Sequence, residues 1–412
     1  MKTYSFRIFP NKQQIDELIE LSCISQEIWN LFIERQQQEY ETNKKLKTTF
    51  DLHKELTIKK KEEGFIHWQK LNSKACQRIV EGIDFAYKSF FNLIKKDPTA
   101  KPPQIKEIDR TKFKTLTFNQ SGWSFKKDEN IEINKIRIKY KTHLKNVQEL
   151  NIKEFRVKKI GNKWICDLCV EEKIVLPEQM FIKNKVLAID MGLEKLATGI
   201  GSDGRVIILN NKAKKISVYY SNIINEIKSR QSKKVKFSRE WKHLQKRKKQ
   251  FYHKKNSQVK QALHIQSKNL ANMDYNTIII GDLQIKKLMQ KQDNKNTKVS
   301  RSFGNSNLSM FMDMLKYKCE HKQKNVQKIN EWNTTQLNSL TGKLFKIKVE
   351  LKDRVVQLSE DIFIDRDLNS AINIYNRWYE NHIAVMTPPL DLLSVFAKNN
   401  LKSVLNKEFI IS

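Results

Sequence analysis

Long apolar runs, acidic residues and cysteines are all scarce in this sequence, and each scarcity excludes a class of protein. No stretch reaches the roughly 20 apolar residues that a membrane-spanning helix needs. The opening residues predict a strand rather than a signal peptide, so we expect a soluble, cytoplasmic, nucleoid-associated protein without a membrane partner. The five cysteines are an odd number, which argues against a disulfide framework and for a reducing compartment.

One pair of cysteines, Cys166 and Cys169, has the C-x-x-C spacing of many metal sites. No second pair is present to complete four thiolate ligands. The surrounding residues predict a strand, in which positions i and i+3 point to opposite faces. We therefore expect both side chains to pack in a core.

Acidic residues are outnumbered heavily, with 45 Asp and Glu against 78 Lys and Arg, giving a formal charge of +33. A chain this basic repels itself unless a polyanion neutralises it, so nucleic acid is the leading partner. A membrane surface is the alternative, but no basic amphipathic helix carries the apolar face that it requires. The 412 residues, 39% of them hydrophobic, predict two or three packed domains.

The first part of the chain predicts a barrel with a helical insertion. Residues 2–9 predict a strand, and Asn11 is a helix N-cap followed by helical patterning to about Lys96. Prolines then mark a linker, and residues 104–173 predict short strands separated by turns. We expect the first strand to complete the barrel. On the exposed face of the last helix, Lys74 and Gln77 are candidates for contact with a polyanion.

The second part predicts buried strands that end in acidic residues. Residues 186–190 form an apolar strand ending in Asp190, and a hairpin of two strands follows it. Residues 275–282 predict a second buried strand, 311–324 a helix and 326–332 a further strand. The loop 289–305 is expected to be mobile. Near the end, a short strand delivers Asp365, and a helix follows that packs Ala371, Ile372 and Ile374.

A strongly basic segment lies between these strands. Residues 212–255 contain 16 Lys or Arg and 2 Glu, with Trp241 and Leu244 at near-helical spacing. A solvated helix face is the alternative, but like-charge contacts would destabilise such a helix in isolation. We expect a helix that tracks nucleic-acid phosphates in a salt-sensitive, sequence-independent way. Its candidate contacts are Lys233, Lys234, Lys236, Arg239, Lys242, Arg247 and Lys248.

The order of these motifs resembles the TnpB family of transposon-encoded RNA-guided nucleases. Residues 189–193, 278–283 and 365–369, which read Ile-Asp-Met-Gly-Leu, Ile-Ile-Ile-Gly-Asp-Leu and Asp-Arg-Asp-Leu-Asn, are similar to its three RuvC motifs. The resemblance implies an α+β multidomain protein: a wedge β-barrel with an inserted helical recognition lobe, then an RNase-H-like (RuvC) α/β domain. It also implies a monomeric complex with guide RNA that binds target double-stranded DNA beside a short adjacent motif.

The implied boundaries follow the chain in order. They are 1–12 for the first barrel strand, 13–97 for the recognition lobe, 98–180 for the rest of the barrel and 181–332 for the RuvC domain with its basic helix. The remaining segments are 333–361 for a degenerate zinc knuckle, 362–380 for the third RuvC motif and 381–412 for a C-terminal tail.

The chain departs from the family pattern at two places. Gly281 stands where the second motif of the family has its catalytic glutamate, and alternation points Asp282 to the opposite face. Asp190 and Asp367 then remain from a two-metal site that needs more carboxylates. In the knuckle, Asn338, Thr341, Gln357 and Glu360 stand where the family has zinc-binding cysteines, so we expect no zinc and a shortened, metal-free loop or hairpin. A hard-cation site at Glu360 and Asp361 is a less favoured alternative.

These losses favour a nuclease-dead, RNA-guided repressor that occupies DNA without cutting it and needs no Mg²⁺ to bind. The main alternative is an active nuclease in which Asp282 or another carboxylate replaces the missing glutamate. A further alternative is an RNA-binding accessory protein that does not act on DNA.

Overall fold

The computed structural model describes residues 2–126, 128–144, 146–171, 185–282, 307–350 and 353–381. Its contacts divide the chain into two compact units, Met1–Lys173 and Ile174–Ser412. The predicted boundary at 180/181, the loop 289–305 and nearly all of the tail lie outside the described residues.

The first unit contains a seven-stranded antiparallel sheet that is barrel-like, as expected. The N-terminal strand β1 lies inside this sheet, where it pairs with β5 on one side and β7 on the other. The sheet order is β2-β6-β7-β1-β5-β4-β3. The strands are β1 Lys2–Phe9, β2 Leu116–Phe118, β3 Trp123–Phe125, β4 Asn130–Ile133, β5 Ile136–Lys141, β6 Ile152–Ile160 and β7 Lys163–Val170.

Three α-helices are inserted between β1 and β2. They are α1 Lys12–Asn43, α2 Thr49–Lys59 and α3 Ser73–Ile94, with a 3₁₀ helix at Glu63–Lys70. Asn11 begins α1 with a capping box, since its side chain accepts from the Gln14 amide at 2.9 Å and the Gln14 side chain accepts from the Asn11 amide at 2.8 Å. Helices and sheet share one hydrophobic core, which includes Cys166. Cys169 is also buried, so the prediction that this pair packs inside is confirmed.

The second unit is built on a mixed five-stranded sheet with the order β10-β9-β8-β11-β12. Strands β8, β9 and β10 are antiparallel, whereas β8, β11 and β12 are parallel. Helices cover both faces, which explains why β8 and β11 are almost wholly apolar. The strands are β8 Val186–Asp190, β9 Lys195–Gly201, β10 Val206–Asn210, β11 Thr277–Gly281 and β12 Asn325–Ile329.

The helices of this unit are α4 Lys212–Ser232, α5 Arg239–Asn272, α6 Leu308–His321 and α7 Arg366–Glu380. The single basic helix predicted over 212–255 is therefore wrong. The segment forms two antiparallel helices joined at residues 233–238. The connecting residues are mostly exposed, and half of them are lysines, so no row of buried apolar side chains continues one helix through them. Ala371, Ile372 and Ile374 of α7 are fully buried, as predicted.

Strand β14 Ile362–Asp365, which precedes α7, pairs with β13 Val355–Ser359 in a separate two-stranded sheet. In the part of the chain that the structure describes, no helix is long and apolar enough to cross a membrane.

Candidate active site

Two parallel strands bring the first half of the site together. Ile280 of β11 pairs with Ile189 of β8, so Gly281 lies beside Asp190 at the carboxyl end of the sheet. Paired residues of parallel strands point to the same face, and this face is covered by α7. A side chain at position 281 would therefore point to the same side as the Asp190 carboxylate.

The N-terminus of α7 supplies the next carboxylate. Asp365 caps the helix by accepting from the amides of Asp367 at 3.0 Å and Leu368 at 3.2 Å. The cap fixes Asp367 in the first turn, where it is buried. Arg366 donates to Asp367 at 3.0 Å, and the Lys195 ammonium lies 4.0 Å from it and pairs with Asp365. Two cations thus neutralise this end of the site.

A third carboxylate, Glu331, lies against Gly281. Ile329 of β12 pairs with Gly281, and Glu331 follows two residues later. A Cβ placed on Gly281 would lie 3.1 Å from the Glu331 Cβ and would overlap its carboxylate Oε2. The Glu331 carboxylate, from the segment that follows β12, therefore occupies the space that a side chain at position 281 would fill. In the described residues no lysine or arginine forms an ion pair with Glu331.

The electrostatics show that these acids act on one another. Burial, then the negative charges of Asp367 and Glu331, raise the pKa of Asp190 to about 8, although Arg366 and a hydrogen bond from Ser370 oppose the rise. Burial, then Asp282, raises the pKa of Glu331 to about 7. Strongly raised pKa values on neighbouring carboxylates are more frequent at functional sites than elsewhere in a protein.

The Asp282 side chain lies on the other face of the sheet, although its charge contributes to the raised pKa of Glu331. The carboxylate of Asp282 pairs with Lys328 at 3.3 Å, and its amide donates to Ile329. Lys328 pairs with Ile280 across the strands, so the pair lies on the face opposite Gly281. The alternation that predicted this orientation is confirmed.

The donor set fits a hard divalent cation such as Mg²⁺, which takes carboxylate oxygens. Within the described ranges, however, no three His, Cys, Asp or Glu side chains converge closely enough to hold an ion by themselves. Magnesium usually uses one or two carboxylates and completes its shell with waters and substrate phosphates. Asp190, together with Glu331 or Asp367, supplies that number.

The segment expected to replace a zinc knuckle is held by hydrogen bonds. Asn338 accepts from the amides of Leu340 at 2.9 Å and Thr341 at 3.3 Å, and it donates to the Leu358 carbonyl at 2.9 Å. One side chain at a former ligand position thus joins the first turn to β13. Gln357 donates to the Glu360 carbonyl at 3.3 Å. The sequence predicts a loop or hairpin over residues 333–361; β13 lies in this segment and pairs with β14, which belongs to the predicted third motif.

Two asparagines of α7 form hydrogen bonds to the backbone of the same segment. Asn369 donates to the Leu337 carbonyl at 2.8 Å and accepts from the Ser339 amide at 3.0 Å. Asn373 donates to the carbonyls of Thr334 at 2.8 Å and Leu337 at 2.7 Å. Both asparagines are buried, so the turns are tied to the helix that carries Asp367.

The predicted phosphate contacts cluster at the tip of the α4–α5 pair. Lys233, Lys234 and Lys236 lie in the connection, and all three are exposed. Arg239, Lys242 and Arg247 are exposed on α5. Lys234 pairs with Glu240 at 2.6 Å, and the half-buried Lys248 donates to Gln231 at 2.7 Å. These two lysines therefore already have partners within the protein.

In the first unit, Lys74 and Gln77 occupy the start of α3, one turn apart. Lys74 is exposed and Gln77 is half-buried. The structure leaves their role in nucleic-acid contact as a prediction.

Glu331 is the site residue that the sequence prediction missed. It was placed inside a strand over 326–332, whereas β12 ends at Ile329. Its position in the sequence was the available signal. Glu331 follows the third parallel strand, β12, much as Asp190 ends the strand β8, and the carboxyl ends of parallel strands lie at the same edge of a sheet.

Three family profiles match the chain. One described as probable transposase (OrfB_IS605) matches residues 168–292, and one described as Cas12f1-like, TNB domain, matches 309–374. A third, described as helix-turn-helix domain, matches 1–45, where the structure has β1 and the single long helix α1. No curated protein matches the sequence.

Solved structures are also similar. A cryo-EM structure of the Cas12f1-sgRNA-target DNA complex matches with a TM-score of 0.54 at 14% identity, covering 88% of this chain and 82% of that chain. A CRISPR-Cas12f ternary complex covers 88% and 81% at 13% identity, with a TM-score of 0.34. The first of these likenesses shows a shared fold.

Proposed function

We propose that this chain is a TnpB-type RNA-guided DNA endonuclease with a rearranged RuvC site, a proposal that the three matching family profiles support. The observation that carries the proposal is the Glu331 carboxylate, which fills the space beside Gly281 on the face of Asp190. The structural relative with guide RNA and target DNA supports both partners. Pairing with the guide would select the target sequence.

The residues have distinct roles in this proposal. Asp190 and Glu331 would supply the charge that holds a divalent cation. When bound, Mg²⁺ polarises the phosphodiester and lowers the pKa of a coordinated water. Asp367 adds charge from the helix terminus, and Lys195, which pairs with Asp365, lies 4.0 Å from it.

The α4–α5 tip would contribute salt-sensitive contacts to nucleic-acid phosphates. Reversing the charge of Lys233, Lys236, Arg239 and Arg247 together is expected to weaken RNA or DNA binding at moderate salt and to reduce its salt dependence. Reversal of Lys316 and Lys322, elsewhere in the same unit, is the control. Unchanged affinity in the four-residue variant would rule the tip out as a contact surface.

A second candidate is the nuclease-dead repressor that the sequence favoured. The observation in its favour is that Asp367 is already paired with Arg366 and lies near Lys195, which leaves fewer free carboxylates for cations. In that case the chain would bind guide RNA and promoter DNA and leave the DNA intact.

One experiment separates the two candidates. The RNA that purifies with the protein is sequenced, and a matched duplex is then incubated with the complex and Mg²⁺. Guide-dependent cutting that Asp190→Ala abolishes supports the endonuclease. Guide-dependent binding with intact DNA supports the repressor, and specific RNA retention without duplex binding supports an RNA-binding accessory protein.

A further inference from the structure

A largely exposed tryptophan follows Glu331 in the chain. Trp332 is next to Glu331 and is 70% exposed. The chain has seven tryptophans, and the other six are buried or half-buried. An exposed tryptophan presents a large, rigid apolar surface with which a planar ligand can stack.

The loop that carries this ring is held firmly. Arg377 of α7 donates to the carbonyls of Asn330 at 2.6 Å and Trp332 at 3.1 Å. The Asn330 side chain accepts from the Trp332 amide at 2.9 Å. The backbone of Trp332 is therefore fixed from both sides, and less conformational freedom is lost when the ring binds a partner.

The Trp332 side chain is mostly exposed among the described residues. Within the described residues the ring has no aromatic or cationic partner. Other tryptophans do: Trp378 packs on Tyr375 with ring centroids 6.3 Å apart, and the Lys106 ammonium lies 3.3 Å from the Trp29 ring centroid. In the part of the chain that the structure describes, no ring or ammonium group therefore competes with a flat ligand for Trp332.

We propose that Trp332 is a stacking platform for one base of the DNA strand whose phosphate lies at the carboxylate site. The inference rests on the proposed function. Neighbouring Cα atoms are about 3.8 Å apart, and nucleotides are spaced about 3.4 Å along a strand, so the stacked base is within a few nucleotides of the cut. Stacking of this kind tolerates any base, which suits an enzyme whose target is chosen by RNA.

The test places the fluorescent base 2-aminopurine at successive positions of single-stranded DNA. Binding is measured with the full chain and its co-purified RNA in the Asp190→Ala background, so that no strand is cut. At one position we expect quenching that Trp332→Ala removes, with roughly tenfold weaker binding of the strand. Trp332→Phe should restore most of both. Ile347→Ala, at a residue that is 84% exposed in the same unit, should change neither.

Equal quenching and affinity in Trp332→Ala and its parent would overturn the stacking assignment. Failure of the proposed function has a different signature. If the protein with Asp190 restored never cuts DNA in Mg²⁺, but Trp332→Ala still loses the quenching, the stacking assignment stands and the endonuclease does not. If it cuts and the quenching is indifferent to Trp332, the reverse holds.

Discussion

The carboxylate site, formed by Asp190, Glu331 and Asp367, and the segment 333–361 are built from different kinds of interaction. At the site, Gly281 has no side chain, and Glu331 brings a carboxylate into the same space. In the knuckle segment, the Asn338 side chain joins its own turn to strand β13 through neutral hydrogen bonds. The carboxylate site thus contains a negative charge beside Gly281, whereas the knuckle segment is held by hydrogen bonds between neutral groups.

The difference follows from what each region has to do. A nuclease site must place negative charge near a divalent cation, and only another carboxylate can do so. A structural zinc site holds turns together, and buried amide hydrogen bonds can do the same without a metal. The contrast predicts that carboxylate changes will affect cleavage, whereas knuckle changes will affect stability.

The largest expected effect comes from removing the negative charge of Glu331. Glu331→Gln should lower the cleavage rate at least about 100-fold, because the cation it helps to hold is worth several kcal/mol and each ~1.4 kcal/mol is tenfold. Guide-dependent binding should persist, as a gel-shift assay with matched duplex would show. Asp282→Asn is the matched control, since Asp282 lies on the other face and pairs with Lys328. Equal rates for Glu331→Gln and its parent would refute the role of Glu331.

A smaller effect should follow from crowding the carboxylate. A methyl group from Gly281→Ala would lie 3.1 Å from the Glu331 Cβ and overlap its carboxylate, so that Glu331 must move. Cleavage should fall roughly tenfold, because misplacement of a catalytic group by about 1 Å costs up to 100-fold. Gly82→Ala is the control, because its added atom would be 3.8 Å from the nearest neighbour. A Gly281→Ala variant with an unchanged rate would show that the contact has no importance.

In the knuckle the expected change is in stability. Asn338→Ala removes three hydrogen bonds and leaves partly buried backbone groups without partners, so unfolding should become easier by about 1–3 kcal/mol. Thermal unfolding would measure this loss. Thr341→Ala, at an exposed former ligand position, should be close to neutral. Cleavage at low temperature should be nearly normal in both variants, and a selective loss of cleavage in Asn338→Ala would break the contrast between the two regions.

The smallest effect concerns pH. Asp190 and Glu331 have pKa values of about 8 and about 7, above the ordinary values near 4 that they have when unfolded. The folded state therefore binds more protons between about pH 4 and pH 8, and metal-free stability falls as the pH rises through that window. A divalent cation favours the ionised forms, so Mg²⁺ should raise the melting temperature by a few degrees more at pH 8.5 than at pH 6. In Glu331→Gln that difference should shrink.

The sequence predicted the features that neighbouring residues determine. The apolar runs of β8 and β11, the cap at Asn11 and the buried face of α7 could all be predicted from neighbouring residues. The role of Glu331 depends on the parallel pairing of β11 with β12, which joins residues about 50 positions apart and leaves no local trace. The break between α4 and α5 was missed for a related reason. Lysines continue through residues 233–238, and only the packing of the two helices shows where the chain turns.

The most direct test moves the carboxylate back to the position that the family uses. Gly281→Glu is combined with Glu331→Ala, and cleavage of matched duplex in Mg²⁺ is measured beside the parent and Glu331→Ala alone. The account predicts that the parent cuts, that Glu331→Ala binds without cutting, and that the double variant regains cleavage. A parent that binds the duplex and leaves it intact, or a Glu331→Ala variant that cuts as fast as the parent, would contradict it.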